Sequence, residues 1–344
     1  MRALRGRRVI LVAAFALLVT LVLAAGVGSV PIPPGEVLRI LLSRAPGLHV
    51  TPTWDAMNAV ILWEIRLPRV ILGALTGMAL SVAGGAYQGL FKNPLADPYV
   101  LGVSSGAALG GALAIAFFGS LRLAGLGAVP LLAFAGGLGA VTLVYHLAAV
   151  GRRVSTVGVL LAGAAVGSLA ISLVSVILYF TSQQARDGIL FWMMGGLGGA
   201  TWQKVAWLLP YLAAGLGTLL FYWRELNAML MGEEAAHHLG VDVERMKKVV
   251  LVGGSLLTAA AVAFSGAIGF VGLVVPHVVR FLVGPDHRYL LPASGVVGAV
   301  VLVAADTLAR SGLGAQEMPV GLVMSVLGGP FFLWLLRRKL APAS

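Results

Sequence analysis

A short polar island, Gly232 to Lys248, lies between two long apolar segments and carries Glu233-Glu234-Ala235-Ala236, then His237-His238, then Gly240. Gly232 can open a helix there. Glu233 and Glu234 then fall in its first turn, where the helix dipole favours anions. Gly240 can close the helix in a left-handed cap. A soluble helix held in a loop between apolar segments is either a docking element for a partner or an amphipathic segment resting on the membrane surface. Metal chemistry fits less well. Adjacent histidines diverge by about 100° on a helix, whereas a metal pair needs i, i+4 spacing. Glu233, one turn before His237, keeps a site conceivable, but a solvated face is the simpler reading. Gly102-Val-Ser104-Ser-Gly106 matches the G-x-S-x-G elbow of hydrolases. That elbow needs a strand, a sharp turn and a helix. Here the pattern opens an apolar helix with no acid–base partner nearby, so it reads as helix packing and no catalytic residue is assigned.

The elements that position these residues are membrane spans. Of the 344 residues, 59% are hydrophobic and 11% charged, against about 25% charged in a soluble domain. Apolar runs near 20 residues recur along the chain, which makes it all-α and polytopic, with a single membrane domain over 1–344. The spacing predicts ten spans, near 9–27, 68–90, 100–118, 126–149, 156–180, 203–223, 248–265, 268–282, 290–309 and 318–336. Arg2, Arg5, Arg7 and Arg8 before the first run resemble a signal peptide, but the run is too long for an h-region and reads as a retained span. The net charge of +11 is not a nucleic-acid signal, because the basic residues sit at span ends. Roughly two-thirds of them fall on one side, which predicts that both termini and the 232–248 island are cytoplasmic. With no cysteine, disulfides and thiolate metal sites are excluded.

Two of the predicted outer segments are long. Residues 28–67 include Pro34 to Leu42, a short amphipathic helix lying along the outer surface. Residues 181–202, with Gly195, Gly196, Gly198 and Gly199, predict a turn-rich cap. Ala79 to Gly84 with Pro94 echoes Ala261 to Gly266 with Pro276 at an offset of 182, which suggests an inverted repeat. Glycine, alanine and serine crowd segments such as 102–111 and 161–168, and small residues let helices approach closely in lipid. Pro276 predicts a kink beside His277. Asp306, an acid within a late span, is a functional candidate or a partner for Arg310 one turn on.

Several motifs together resemble one family. They are Arg66-Leu-Pro-Arg69, Asn93-Pro-Leu-Ala-Asp-Pro98 with Leu101-Gly102, Gly269 to His277 with Arg280, and Glu317-Met-Pro-Val-Gly321 with Gly329-Pro-Phe-Phe332. In this order and spacing they resemble the permease subunits of ABC importers for iron-siderophores, haem and vitamin B12, over about residues 55 to 338. The EAA-x-x-x-G island is similar to that family's segment for contacting the ATPase, here about 225–248. The resemblance implies a type II importer permease fold. It also implies a homodimer, or a heterodimer with a close relative, whose pathway is lined largely by spans five and ten, two copies of a separate ATPase that hold ATP and Mg, and one extracytoplasmic substrate-binding protein. It assigns Glu233, Glu234, Ala235, Ala236 and Gly240 to ATPase coupling. Arg66, Arg69 and Arg310 would receive glutamates of the binding protein, with guanidinium forks pairing carboxylates and rim charges steering encounter. The alternative is that these arginines anchor span ends at the headgroups. Asn93 with Leu95, and Ser155 with Thr156, would form the cytoplasmic gate. No P-loop is present, so no cofactor is expected on this chain. The expected cargo is an iron chelate, a ferric siderophore by preference, imported across a bacterial cytoplasmic membrane. An ion-coupled secondary transporter is the alternative, and it leaves the EAA loop without a purpose.

Overall fold

The computed structural model describes residues 2–45, 51–119, 121–123, 125–150, 153–311 and 317–340. Arg152, counted above among the basic residues, lies outside them. The helices, in order, are α1 (Arg2–Gly26), α2 (Pro34–Ser43), α3 (Ala56–Val60), α4 (Leu67–Leu90), α5 (Val103–Phe117), α6 (Ala128–Ala148), α7 (Thr156–Phe180), α8 (Gln183–Met193), α9 (Trp202–Phe221), α10 (Trp223–Leu230), α11 (Glu233–His238), α12 (Val243–Ser265), α13 (Val271–Val283), α14 (His287–Ser311) and α15 (Val320–Leu340). A π-helical turn, Ile61–Arg66, joins α3 to α4, and a 3-10 turn, Pro98–Leu101, precedes α5.

Among the described residues, seven helices are long and apolar enough to cross a membrane, and three shorter apolar ones, within α5, α13 and α15, occupy the other expected spans. Helix α2 matches the predicted amphipathic segment, burying Val37 and Ile40. The segment 181–202 departs from expectation. Its first half is α8, started by the Ser182 hydroxyl accepting from the Ala185 amide, and only the residues from Met194 onward turn. A serine N-cap outweighs the distant glycines because capping acts within one helical turn. The repeat at offset 182 is not a repeat of local structure. Gly84 lies inside α4, whereas Gly266 ends α12 at φ +69°; Pro94 sits in a turn and Pro276 within α13.

Helices α4 and α12 are almost wholly enclosed, while α1, α6, α7 and α9 keep most of their apolar surface outward. The centre is held by close backbone approach. A Cβ on Gly84 would overlap the Gly272 carbonyl of α13, and one on Gly110 the Leu132 carbonyl of α6. Interior polar groups bond to neighbouring helices. The Tyr87 hydroxyl donates to the Leu251 carbonyl at 2.9 Å, and Gln88 Nε2 to the Leu273 carbonyl at 3.0 Å. Gly84→Ala is therefore expected to push α4 from α13 and to cost about 1–3 kcal/mol by overpacking, read as a lower unfolding midpoint in detergent; an unchanged midpoint would refute that packing.

Candidate functional site

The polar island folds as the sequence implies. Gly232, at φ +120°, turns the chain into α11. At the other end Gly240 sits at φ +85°. Its amide bonds the His237 carbonyl and the Val241 amide bonds the Ala236 carbonyl, at 2.9 and 3.1 Å. This pair of bonds is a Schellman cap. Ala236 is the buried seat of the helix, Ala235 is half-buried, and His237 and His238 are exposed. The two glutamates differ. Glu233 bonds Nζ of the buried Lys247 at 2.8 Å, and Lys247 also bonds Glu244 at 3.1 Å. Glu233 therefore locks α11 to α12, which leaves Glu234 as the outward carboxylate. Lys247 was not singled out as a site residue, because its partner lies across a chain reversal.

The loop after α4 lies alongside. Lys92, at φ +47°, brings its ammonium close to Gly232. Asn93 Oδ1 accepts from the Leu95 amide at 3.0 Å, an Asx turn. Asp97 then caps the 3-10 turn by accepting from the Tyr99 amide at 2.8 Å. Burial pushes the Asp97 carboxyl up to about 6, against that amide bond. Burial also raises the Tyr99 phenol, with Asp97 adding to it. The Tyr99 hydroxyl donates to the Ile268 carbonyl at 2.8 Å and accepts from the Ile268 amide at 2.9 Å, which ties the loop to the α12–α13 connection. Ser155 starts α7 by accepting from the Gly158 amide at 3.2 Å. Thr156 is the first residue of α7, and its side chain lies outside the described ones. Helix α7 packs on the 3-10 turn that follows the Asn93–Leu95 loop, where a Cβ on Gly163 would overlap the Val100 carbonyl.

At the far end lies an ionic cluster. Helices α4 and α14 run antiparallel, so Arg69 near the start of α4 meets Asp306 near the end of α14, while Gly89 abuts His287 at their other ends. Roughly 30 Å of helix separates the two ends. Pro68 has no amide to donate, and the hydrogen-bond ladder slips just before it: the Leu67 amide bonds the Leu62 carbonyl, five residues back. Such π-turns recur at functional sites.

The three arginines are not rim charges open to solvent, as the sequence led us to expect; each is turned inward. Arg66 donates to the carbonyls of Ala25, Gly26 and Val30, and Arg310 to those of Ala24 and Val27. These carbonyls belong to the last turn of α1 and the residues after it, where cations are favoured. Arg69 grips Asp306 through Nε and Nη2 at 3.0–3.1 Å and reaches Glu317 through Nη1 at 2.7 Å. Asp306 also pairs with Arg310 at 3.4 Å, the partner foreseen from spacing. Burial explains the arrangement, since a charge removed from water needs a partner or a carbonyl. Arg69 and Asp306 are 237 residues apart, so no local pattern could pair them.

The remaining candidates have structural roles. Ser105, inside the G-x-S-x-G pattern, bonds back to the Gly102 carbonyl at 3.0 Å, and a Cβ on Gly106 would overlap the Gly136 carbonyl. The pattern is a helix contact. His277 is buried and stands edge-on to the Phe281 ring at 5.0 Å.

Comparison with known proteins gives a consistent answer. Residues 16–338 match the FecCD transport family. The chain is 48% identical over 280 residues to the cobalamin import system permease protein BtuC of Halobacterium salinarum, covering 81% of this chain and 74% of that one. It is 45% identical over 294 residues to the hemin transport system permease protein HmuU of Yersinia pestis, covering 84% and 86%. A metal-chelate type ABC transporter solved in an inward-facing conformation superposes with a TM-score of 0.83 at 29% identity, covering 96% of this chain and 99% of its own.

Proposed function

The chain belongs to the FecCD transport family, and from that premise we propose that it is the membrane-spanning subunit of a binding-protein-dependent importer for a metal chelate. The observation that carries this reading is the pairing of two unlike sites across the bundle, a capped helix offering Glu234 at one end and an arginine cluster at the other. Relatives named for cobalamin and for hemin, with a structural neighbour of metal-chelate type, support a metal-chelate cargo class, within which a ferric siderophore is one member. The preference for a siderophore widens to that class.

In this reading α11 is seated in the ATPase, and Lys92 carries its movement toward the Asn93–Leu95 loop. The two ATPase copies hold ATP and Mg. Closure of the nucleotide dimer moves α11, and the helices at the two-fold axis rock open on the other side. The outward apolar faces of α7 and α15, including Leu161, Leu169, Tyr179, Val326 and Trp334, suit a second permease copy along the pathway, with lipid on the other helices. Both termini and α11 are cytoplasmic, in the cytoplasmic membrane. Arg66, Arg69 and Arg310 form the docking end for the binding protein.

Copurification from the native membrane tests the proposal. A stoichiometric ATPase and a binding protein are the expected companions. A chain that purifies alone and still transports down an ion gradient would overturn it in favour of a secondary transporter. Compared on complexes that still assemble with the ATPase, Arg66→Glu with Arg69→Glu is expected to weaken binding-protein capture at least about tenfold through like-charge repulsion. Unchanged affinity would return both residues to anchoring span ends.

A further inference from the structure

Within the arginine cluster the partners are unequal. Arg66 and Arg310 spend their donors on backbone carbonyls around the end of α1, which cannot leave without unseating that helix. The Arg69–Asp306 pair is similarly enclosed, with side chains 10% and 3% exposed. Glu317 is different. It holds Arg69 by a single bond of 2.7 Å from Nη1, yet its side chain is 57% exposed. It also lies outside any helix, three residues before α15. Arg69 therefore has one fixed carboxylate and one that water reaches.

We propose that Glu317 is a built-in competitor for the docking partner: its carboxylate occupies the outer edge of Arg69 in the undocked protein and is displaced by a carboxylate of the binding protein. This rests on the docking reading above. The physical case is an exchange of like for like. A buried guanidinium with an open edge would carry the cost of an unsatisfied donor, and Glu317 removes that cost until a partner arrives. An ion pair whose carboxylate is half in water is weakened by solvent screening, so it can yield to a carboxylate presented by a large interface. Exchange also leaves the charge at the buried centre unchanged, with Asp306 still holding Nε and Nη2. Displacement frees the residue that leads directly through Met318 and Pro319 into α15, so docking would loosen the outer end of a helix assigned to the pathway.

The opposite arrangement, in which Glu317 is a structural pin, makes the reverse prediction. A pin removed would disorder the docking surface and weaken binding; a competitor removed strengthens it. The test uses the whole permease–ATPase complex in nanodiscs and the binding protein recovered with it. Affinity and association rate are measured for the wild type, Glu317→Gln, Glu317→Asp and Arg69→Glu.

Glu317→Gln is expected to bind about three- to tenfold tighter, from loss of the competing pair and of repulsion toward the incoming carboxylate. Glu317→Asp keeps the charge and is expected near wild type. Glu317→Gln at wild-type or lower affinity, while an Arg69→Glu complex that still assembles loses binding, would overturn the exchange and leave docking at Arg69 standing. Arg69→Glu at wild-type affinity would remove the docking reading itself. A neutral variant that no longer assembles also overturns the exchange, because a carboxylate on which folding depends is not one that docking displaces.

Discussion

Glu234→Arg is expected to leave the complex folded and hydrolysing ATP while transport falls at least about tenfold. Two observations set that expectation. Glu234 is exposed on a helix whose ends are held by Gly232, Gly240 and the Glu233–Lys247 bond, so reversing its charge removes none of the contacts that form α11. Surface substitutions of that kind usually stay within about 0.5 kcal/mol. At an interface the same reversal is far more costly, because unlike charges become like charges in a desolvated contact, an effect of about 2–5 kcal/mol. The measurements are ATPase activity and chelate uptake of the reconstituted complex, side by side. Uptake at the wild-type level would count heavily against α11 as the coupling element. Glu233→Arg is the contrasting control: it breaks the bond to buried Lys247 and is expected to lower stability as well as transport.

Asp306→Ala is expected to be strongly destabilising. It strips Arg69 of the carboxylate gripping Nε and Nη2, and strips Arg310 of its only ion-pair partner among the described residues. Truncating one member of a buried pair costs about 3–5 kcal/mol, since the other charge is left uncompensated. Asp306 is enclosed by protein, with its side chain 3% exposed, so little water reaches the charge left behind. The readout is the unfolding midpoint of the purified protein in one fixed detergent. Combining Asp306→Leu with Arg69→Met is expected to recover part of the loss, because exchanging a buried ion pair for apolar groups is often tolerated. A single variant with the wild-type midpoint would show that the pair is solvated and contributes little.

The two predictions differ in how readable their residues were. Helix α11 was legible almost completely. Gly232, the acidic first turn and Gly240 are local signals, and each took the conformation its chemistry favours. Only the division of labour between the two glutamates was hidden, since it depends on Lys247 across the reversal at Asp242. The arginine cluster was legible in its members and not in its arrangement. Arg66, Arg69, Arg310 and Asp306 all stood out, and spacing suggested Arg310 with Asp306. Arg69 with Asp306, and Arg66 with the end of α1, needed helices from opposite ends of the chain to be neighbours. The apparent repeat shows the converse error: matching residues at an offset of 182 took unlike backbone conformations.

What the sequence by itself determined is therefore what acts within a turn or a span: the apolar segments, their caps and breaks, the polar island and the family motifs. Hydropathy and capping are local free energies, decided by neighbours a few residues away. Tertiary structure alone decided which charges are buried, which carboxylate water reaches, and which glycines let α4 and α13 touch. Those outcomes depend on desolvation and close packing between segments hundreds of residues apart, and such terms exist only once the helices have come together.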